Sequence, residues 1–327
     1  MTDVRIRRAL TVPLALPQLF TSAKMFEQNF LIGSRTLNSW GLHATRVRLA
    51  YQLAEARRRK LAPLVAADDR AAFHRDGYVV KRNFLPAAKF AALRDQIAAY
   101  RCDVREKFEG DTKLRKITVT RRIAEALPAL RALTSHPDWR GLISYIGARD
   151  AAPAIYLQSV LRHARDSVTD PQTYAHADTF HPTVKAWLFL TDVAEDEGAF
   201  SYVRGSHVLT PQRLAWEHET SLAAARSDDR ETREGSFRID VAGLEQLGLP
   251  QPAILGVPAN TLVVADTFGF HARGPALKPS LRVEVWGIGK RAPFIPWAAI
   301  DEPLAGTWMH NADNGWQVRH TTAFDPS

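Results

Sequence analysis

A histidine and an aspartate two positions apart, His176 and Asp178, lie in the segment Gln172–Pro182. In extended backbone, residues i and i+2 share one face, so both side chains would project together. One imidazole and one carboxylate side by side are two-thirds of a facial ligand set for ferrous iron. The third ligand must come from elsewhere, and His271, in Asp266–His271, qualifies. Arg282 follows in the strand-like run Leu281–Trp286, and an arginine fork matches a carboxylate through two parallel hydrogen bonds. A lone His-x-Asp fits a surface turn or a strand end as well. The ordered set of His-x-Asp, distant His and Arg on the next apolar strand points to a metal site. Such residues converge only if strands far apart in sequence face one interior.

Many short strands meet that demand. Ala154–Leu161, Val184–Val193, Ala199–Val208, Ile254–Phe270 and Leu281–Ile288 are predicted strands, with Ala194–Gly198 as a polar turn and a further strand at Lys116–Ile123. Strands carrying the two halves of the ligand set predict a mainly β fold with flanking helices, a double-sheet jelly roll. Apolar spacing predicts helices from about Ala44 to Leu61 and from Ala87 to Tyr100. The first ends in Arg57-Arg58-Arg59-Lys60, where cations suit the negative helix pole. Gly77 reads as a helix stop. The chain divides into a basic N-terminal extension (1–61), a jelly-roll domain with a helical entry (62–290) and a C-terminal tail (291–327). The tail holds Trp297, Trp308 and Trp316 and is expected to pack on the body. Residues 210–238, polar and charged, separate the two halves of the ligand set and read as a substrate-covering insertion.

Of 327 residues, 46% are hydrophobic and 24% charged, the balance of a soluble globular protein. The single cysteine, Cys102, excludes an internal disulfide and points to a reducing, cytoplasmic setting. No apolar run reaches the roughly 18 residues of a membrane span. Arg5, Arg7 and Arg8 before the apolar run Ala9–Phe20 imitate a signal peptide, but Pro13 and Pro17 interrupt it. Eleven of the 43 Lys/Arg and three of the 35 Asp/Glu fall in residues 1–60, so that extension carries the whole formal excess of +8. Leu14, Leu16, Leu19, Phe20, Phe26, Phe30, Leu31 and Trp40 are interleaved there. Two readings stay open: peripheral contact with an anionic inner-membrane surface, or packing on the body with solvated arginines. No recognition module accompanies the basic residues, so nucleic acid is not expected.

At several places the chain resembles the phytanoyl-CoA dioxygenase family of iron- and 2-oxoglutarate-dependent oxygenases. The places are His176-x-Asp178 with His271 and Arg282, the entry Asp76-Gly77-Tyr78-Val79-Val80 with Phe84-Leu85-Pro86, and the run Ala186–Val193 through Gly205-Ser206-His207. The resemblance covers roughly residues 68–290. It implies a cupin-like double-stranded β-helix, Fe(II) as metal, and 2-oxoglutarate and O2 as co-substrates. Carried over, His176, Asp178 and His271 hold iron, Arg282 binds the far carboxylate of 2-oxoglutarate, and Trp187 lies beside it. Related halogenases lack the carboxylate ligand, so Asp178 favours hydroxylation. Two departures stand out. Arg204 replaces the usual proline before Gly-Ser-His. Arg273 stands where a small hydroxyl residue often helps hold 2-oxoglutarate, and it either faces the iron side or turns to solvent.

Other histidines carry less. His181 fits a supporting or surface role, His207 sits in a turn, and His163, His218, His310 and His320 lack partner spacing. No zinc-protease, zinc-ribbon, phosphate-loop or nucleophile-elbow motif occurs. The expected function is hydroxylation of an organic, anionic and lipid-linked substrate, with the Kdo (3-deoxy-octulosonate) sugar of a lipopolysaccharide inner core preferred. A soluble acyl or amino-acid metabolite is the alternative substrate. A non-catalytic jelly-roll binding protein is the alternative of another class.

Overall fold

The computed structural model describes residues 16–162, 170–289, 292–294 and 316–325. Expectations resting on Arg5, Arg7, Arg8, Leu14, His163, Trp297, Trp308 and His310 lie outside them. Eleven strands are described: β1 (Tyr78–Lys81), β2 (Cys102–Glu109), β3 (Thr112–Thr118), β4 (Ala154–Arg162), β5 (Val184–Phe189), β6 (Phe200–Tyr202), β7 (Ala253–Leu255), β8 (Thr261–Asp266), β9 (His271–Arg273), β10 (Ser280–Gly289) and β11 (Gln317–Thr321). They form an antiparallel sheet ordered β1-β8-β5-β10-β4-β3-β2-β11 and a small antiparallel sheet ordered β7-β6-β9. Two antiparallel sheets with flanking helices are the jelly-roll architecture expected from the sequence.

Strand alternation explains the layering. Leu262 and Val264 of β8, Ala186 and Leu188 of β5, and Val283 and Val285 of β10 share one core with helix residues. The helices covering that face include α1 (Leu42–Leu61), α2 (Ala67–Asp76), α3 (Ala87–Ala99) and α4 (Pro137–Ile146). α2, α3 and α4 contribute Phe73, Leu93, Ile97, Trp139, Leu142 and Ile146, and Leu61 of α1 packs against them. The intervening residues Val263, Ala265, Trp187 and Phe189 form a second core with Phe200 and Tyr202 of the small sheet. A strand covered on both faces reads as a nearly continuous apolar run, as β8 does over Leu262–Ala265.

Some boundaries differ from the sequence reading. The strand expected over Lys116–Ile123 ends at Thr118, and a short helix, Arg121–Ala126, follows. Thr120 Oγ1 accepts from the Ile123 N–H at 3.4 Å and caps it. The strand expected over Ala199–Val208 stops at Tyr202, and Gly205 turns the chain at φ +78°. Gly77 stops α2 as expected, at φ +87°, its N–H bonded to Phe73 O at 2.7 Å. A Cβ there would lie 2.5 Å from Tyr202 Oη and 2.7 Å from His207 Nδ1. Gly77→Ala should therefore cost well over about 1 kcal/mol. A urea midpoint equal to wild type would contradict this.

The extension is built into the body from residue 16 onward. Arg46 donates to the carbonyls of Leu19 (3.0 Å), Thr21 (3.3 Å) and Ala23 (2.7 Å). Phe26 packs with Phe237 and Ile32. The cationic end of α1 does not simply face water. Arg58 is 2% exposed and bonds Asp266 Oδ2 (2.7 Å), Glu55 Oε1 (2.7 Å) and Ile146 O (2.6 Å). Burial pushes the Asp266 carboxyl up, and the Arg58 guanidinium opposes that shift. Asp266 also accepts from the Phe268 and Thr183 N–H groups, which fixes the turn leading to His271.

Candidate active site

His176 does not belong to a regular strand. It forms isolated bridges with Arg238 on one side and His271 on the other. The His176 and His271 backbones exchange two hydrogen bonds of 3.0 Å, and the Asp178 N–H donates to Thr267 O at 2.9 Å. The segment is thus extended and clamped between two other stretches of the chain. Ala177 points away into a core with Val203, Ile239 and Phe270. The i, i+2 alternation leaves His176 and Asp178 on the opposite side.

The three side chains meet. One donor atom from each of His176, Asp178 and His271 falls within 4.8 Å of the others. Asp178 Oδ1 is 3.9 Å from His176 Nε2 and 3.6 Å from His271 Nε2. Two donors bound to one ion at about 2.0–2.2 Å stand roughly 3–4 Å apart. The His176 Nδ1–H donates to Tyr174 O at 2.8 Å, and the His271 Nδ1–H to Gly269 O at 2.9 Å. Those carbonyls fix the tautomer and leave both Nε2 lone pairs for the metal. His271 Nε2 is buried without a hydrogen-bond partner. Burial, then the neighbouring His271, pushes the His176 imidazole down to about 3, so it stays neutral as a ligand must. The donor set fits a divalent transition metal.

A cavity of about 280 Å³ opens beside these atoms, and Trp187, Arg273, Arg282, Lys116, Gln158 and Trp286 also line it. Trp187 pairs across strands with Trp286, and its ring centroid is 4.6 Å from that of Phe200. Arg282 Nη1 donates to Gly198 O at 2.8 Å, and its Nε lies 3.0 Å from Glu284 Oε2. The Nε–Glu284 contact is an ion pair whose angle does not meet hydrogen-bond geometry. Gln158 Nε2 donates to the other Glu284 oxygen at 2.6 Å. Glu284 is therefore the counter-ion that orients Arg282. Burial lowers the Arg282 pKa, and Glu284 opposes the shift.

Arg273 does not turn to solvent. It lines the cavity and pairs with Asp170, which is fully buried and also accepts from Arg162 (2.7 Å) and Thr112 Oγ1 (3.0 Å). His181 is buried, its Nδ1 3.0 Å from Pro182 O, and stands outside the ligand cluster.

Two lysines also reach the site, and one of them escaped the sequence reading. Lys185 Nζ is 2.7 Å from Asp178 Oδ2 and 3.0 Å from Oδ1. Lys24, from the extension, donates to Asp178 O (2.7 Å) and Ser236 Oγ (2.6 Å). Lys185 was legible as a face-mate of Trp187 by alternation. Lys24 had no local signal.

Residues 73–241 match the family model described as phytanoyl-CoA dioxygenase (PhyH). The chain belongs to the phytanoyl-CoA dioxygenase family. It is an iron(II)- and 2-oxoglutarate-dependent dioxygenase. No curated protein matches the chain. Solved structures similar to it include the epimerase SnoN in complex with Fe3+, alpha ketoglutarate and nogalamycin RO. That pair shares 19% identity at TM-score 0.46, over 69% of this chain and 83% of that one. HygX from Streptomyces hygroscopicus with nickel, 2-oxoglutarate and hygromycin B bound is 15% identical at TM-score 0.42, over 69% and 87%. AviO1 from Streptomyces viridochromogenes Tue57 is 19% identical at TM-score 0.40, over 69% and 97%.

Proposed function

We propose that the enzyme hydroxylates an anionic organic substrate at iron held by His176, Asp178 and His271. The observation that carries this is the pair of Nε2 lone pairs converging with Asp178, in one cavity with Arg282. With iron bound, the site would supply hydroxylation of a C–H bond by O2, one oxygen atom going to the substrate and the other to succinate as 2-oxoglutarate loses CO2. The chain's own residues bind and orient. Arg282, braced by Glu284, takes the far carboxylate of 2-oxoglutarate. Trp187 packs beside it, and Arg273, held by Asp170, adds positive potential. Tyr174 O and Gly269 O hold the imidazole protons on Nδ1.

The preferred substrate is the Kdo sugar of a lipopolysaccharide inner core. It joins an acidic group to a lipid-linked position, and a basic extension suits an anionic surface. No described helix is long and apolar enough to cross a membrane. Leu16, Phe20 and Trp40 are exposed on the extension, whereas Phe26 is buried in the body. The test is succinate release stimulated by Kdo-containing glycolipid over the substrate-free rate. Stimulation by a neutral glycolipid alone would sink the choice.

Membrane contact has its own test. Because residues 16–61 are packed into the body, the full chain is compared with a variant carrying Arg5, Arg7 and Arg8→Gln. Each cation contributes roughly 1 kcal/mol near an anionic surface. Sedimentation with anionic vesicles should fall on the order of a hundredfold in affinity in the variant, and fall with salt. Equal binding by both would remove the membrane role of those arginines.

A further inference from the structure

Residues 24–27 of the basic extension lie along residues 233–237, the end of the stretch that separates the two halves of the ligand set. The Phe26 N–H donates to Arg233 O at 2.9 Å, and Arg233 Nε donates to Glu27 Oε2 at 2.9 Å. The Phe26 and Phe237 ring centroids are 5.3 Å apart. Gly235 permits so close an approach. Its φ is +81°, and a Cβ there would stand 2.3 Å from Lys24 O. The same stretch holds the ligand segment. The Ala177 N–H donates to Phe237 O at 2.9 Å, and the Ile239 N–H donates to Ala175 O at 3.0 Å. Extension, covering stretch and ligand segment are thus joined in that order.

Lys24 links the first of these directly to the last. Its Nζ donates to Asp178 O at 2.7 Å and to Ser236 Oγ at 2.6 Å, and Ser236 Oγ donates to Asp178 O at 3.1 Å. The paired backbone of His176 and His271 is an isolated bridge, and the chain bends at Asp178. Strand pairing therefore does not carry through to the carboxylate ligand. The Asp178 N–H is tied to Thr267 O, and the amine and the hydroxyl hold the peptide on the other side of the same Cα. With both peptides held, the direction of the Cα–Cβ bond is set, and with it the place of the carboxylate. A hydrogen bond from a charged donor is roughly twice as strong as a neutral one, so the amine is the stronger of the two holds.

We infer that Lys24 is a positioning residue of the iron site. It aims the Asp178 carboxylate by holding the Asp178 backbone, and so makes the extension part of the metal centre. The inference rests on the ligand assignment proposed above. Charge and position predict opposite signs. A cation beside a divalent ion repels it, so removing a Lys24 that acts by charge alone would tighten iron binding. Removing a Lys24 that acts by position loosens it, because loss of a group that orients a metal ligand costs about 10–100-fold in affinity or activity.

The test titrates Fe(II) alone, without oxygen, into the full chain, for wild type, Lys24→Met, Lys24→Arg and Ser236→Ala. Binding is read by tryptophan fluorescence, since Trp187 lines the cavity, and by iron retained after dialysis. Each variant is measured well below its own melting temperature, so that lost stability is kept apart from lost affinity. Lys24→Met keeps the apolar stem and removes the amine, and it should weaken iron binding about tenfold or more. Lys24→Arg keeps a charged donor and should recover most of that loss. Ser236→Ala keeps the amine on Asp178 O and should fall between wild type and Lys24→Met. Iron affinity in Lys24→Met equal to or above that of wild type would overturn the inference. If Lys24→Met fails to fold, wild-type affinity in Ser236→Ala would overturn it. Failure of wild type to bind iron, or undiminished iron binding in Asp178→Ala, would instead overturn the ligand assignment.

Discussion

Asp178→Ala is expected to leave a folded protein that neither holds iron nor releases succinate above background, and His271→Ala should do the same. Asp178 is the anionic member of the proposed ligand set, since burial keeps His176 neutral. Its removal takes away the charge that attracts a divalent ion and leaves Lys185, now 2.7 Å from that carboxylate, as an opposing cation. Removing a group that merely orients a ligand costs about 10–100-fold in affinity or activity, so loss of the ligand itself should exceed that. Asp178→Asn separates charge from shape. The amide keeps the volume but leaves Lys185 unneutralised, and it should fail nearly as badly. Iron per chain after anaerobic loading and succinate release are measured, with circular dichroism to check folding. Full activity in Asp178→Ala or His271→Ala would sink the ligand assignment.

Arg282→Ala should raise the apparent Michaelis constant for 2-oxoglutarate on the order of a hundredfold or more, with iron binding near normal. Truncating one partner of a buried charge pair costs about 3–5 kcal/mol, and tenfold is about 1.4 kcal/mol. The same guanidinium also neutralises Glu284, whose side chain is fully buried. Arg282→Ala therefore loses stability as well, because Gln158 is then the one partner of that carboxylate among the described residues. The two roles separate in the double variant Arg282→Met, Glu284→Gln. It should recover part of the lost thermal stability while the Michaelis constant stays high. Arg282→Lys keeps the charge without the fork and should fall between wild type and Arg282→Ala. An unchanged Michaelis constant in Arg282→Ala would contradict the anchoring role.

The strands that carry the site were legible because each records its own surroundings. In β5 and β8, residues one apart enter different cores, so nearly continuous apolar runs announce strands covered on both faces. The order His-x-Asp, His, Arg survives any local uncertainty, because ligand chemistry restricts residue type more tightly than packing does. Boundaries were less legible. The strand expected at Lys116–Ile123 ends early because Thr120 caps a helix where an extended strand was equally consistent with the residues.

What only the tertiary structure decided is which charges meet. The sequence placed Arg58 among four cations at a helix end, but its partner Asp266 lies on a strand more than two hundred residues away. Arg273 had two local readings, and only the fold brought Asp170 to it. Lys24 reaches the Asp178 backbone from an extension that looked separable. Lys116 sits in a row with Gln158 and Glu284 only because β4 pairs β3 on one side and β10 on the other. Periodicity is a local property, written in the spacing of neighbouring residues. The choice of partner for a charge depends on strand register and on which segments close over the cavity. Those are set by the summed packing of the whole chain, and no stretch of sequence states them alone.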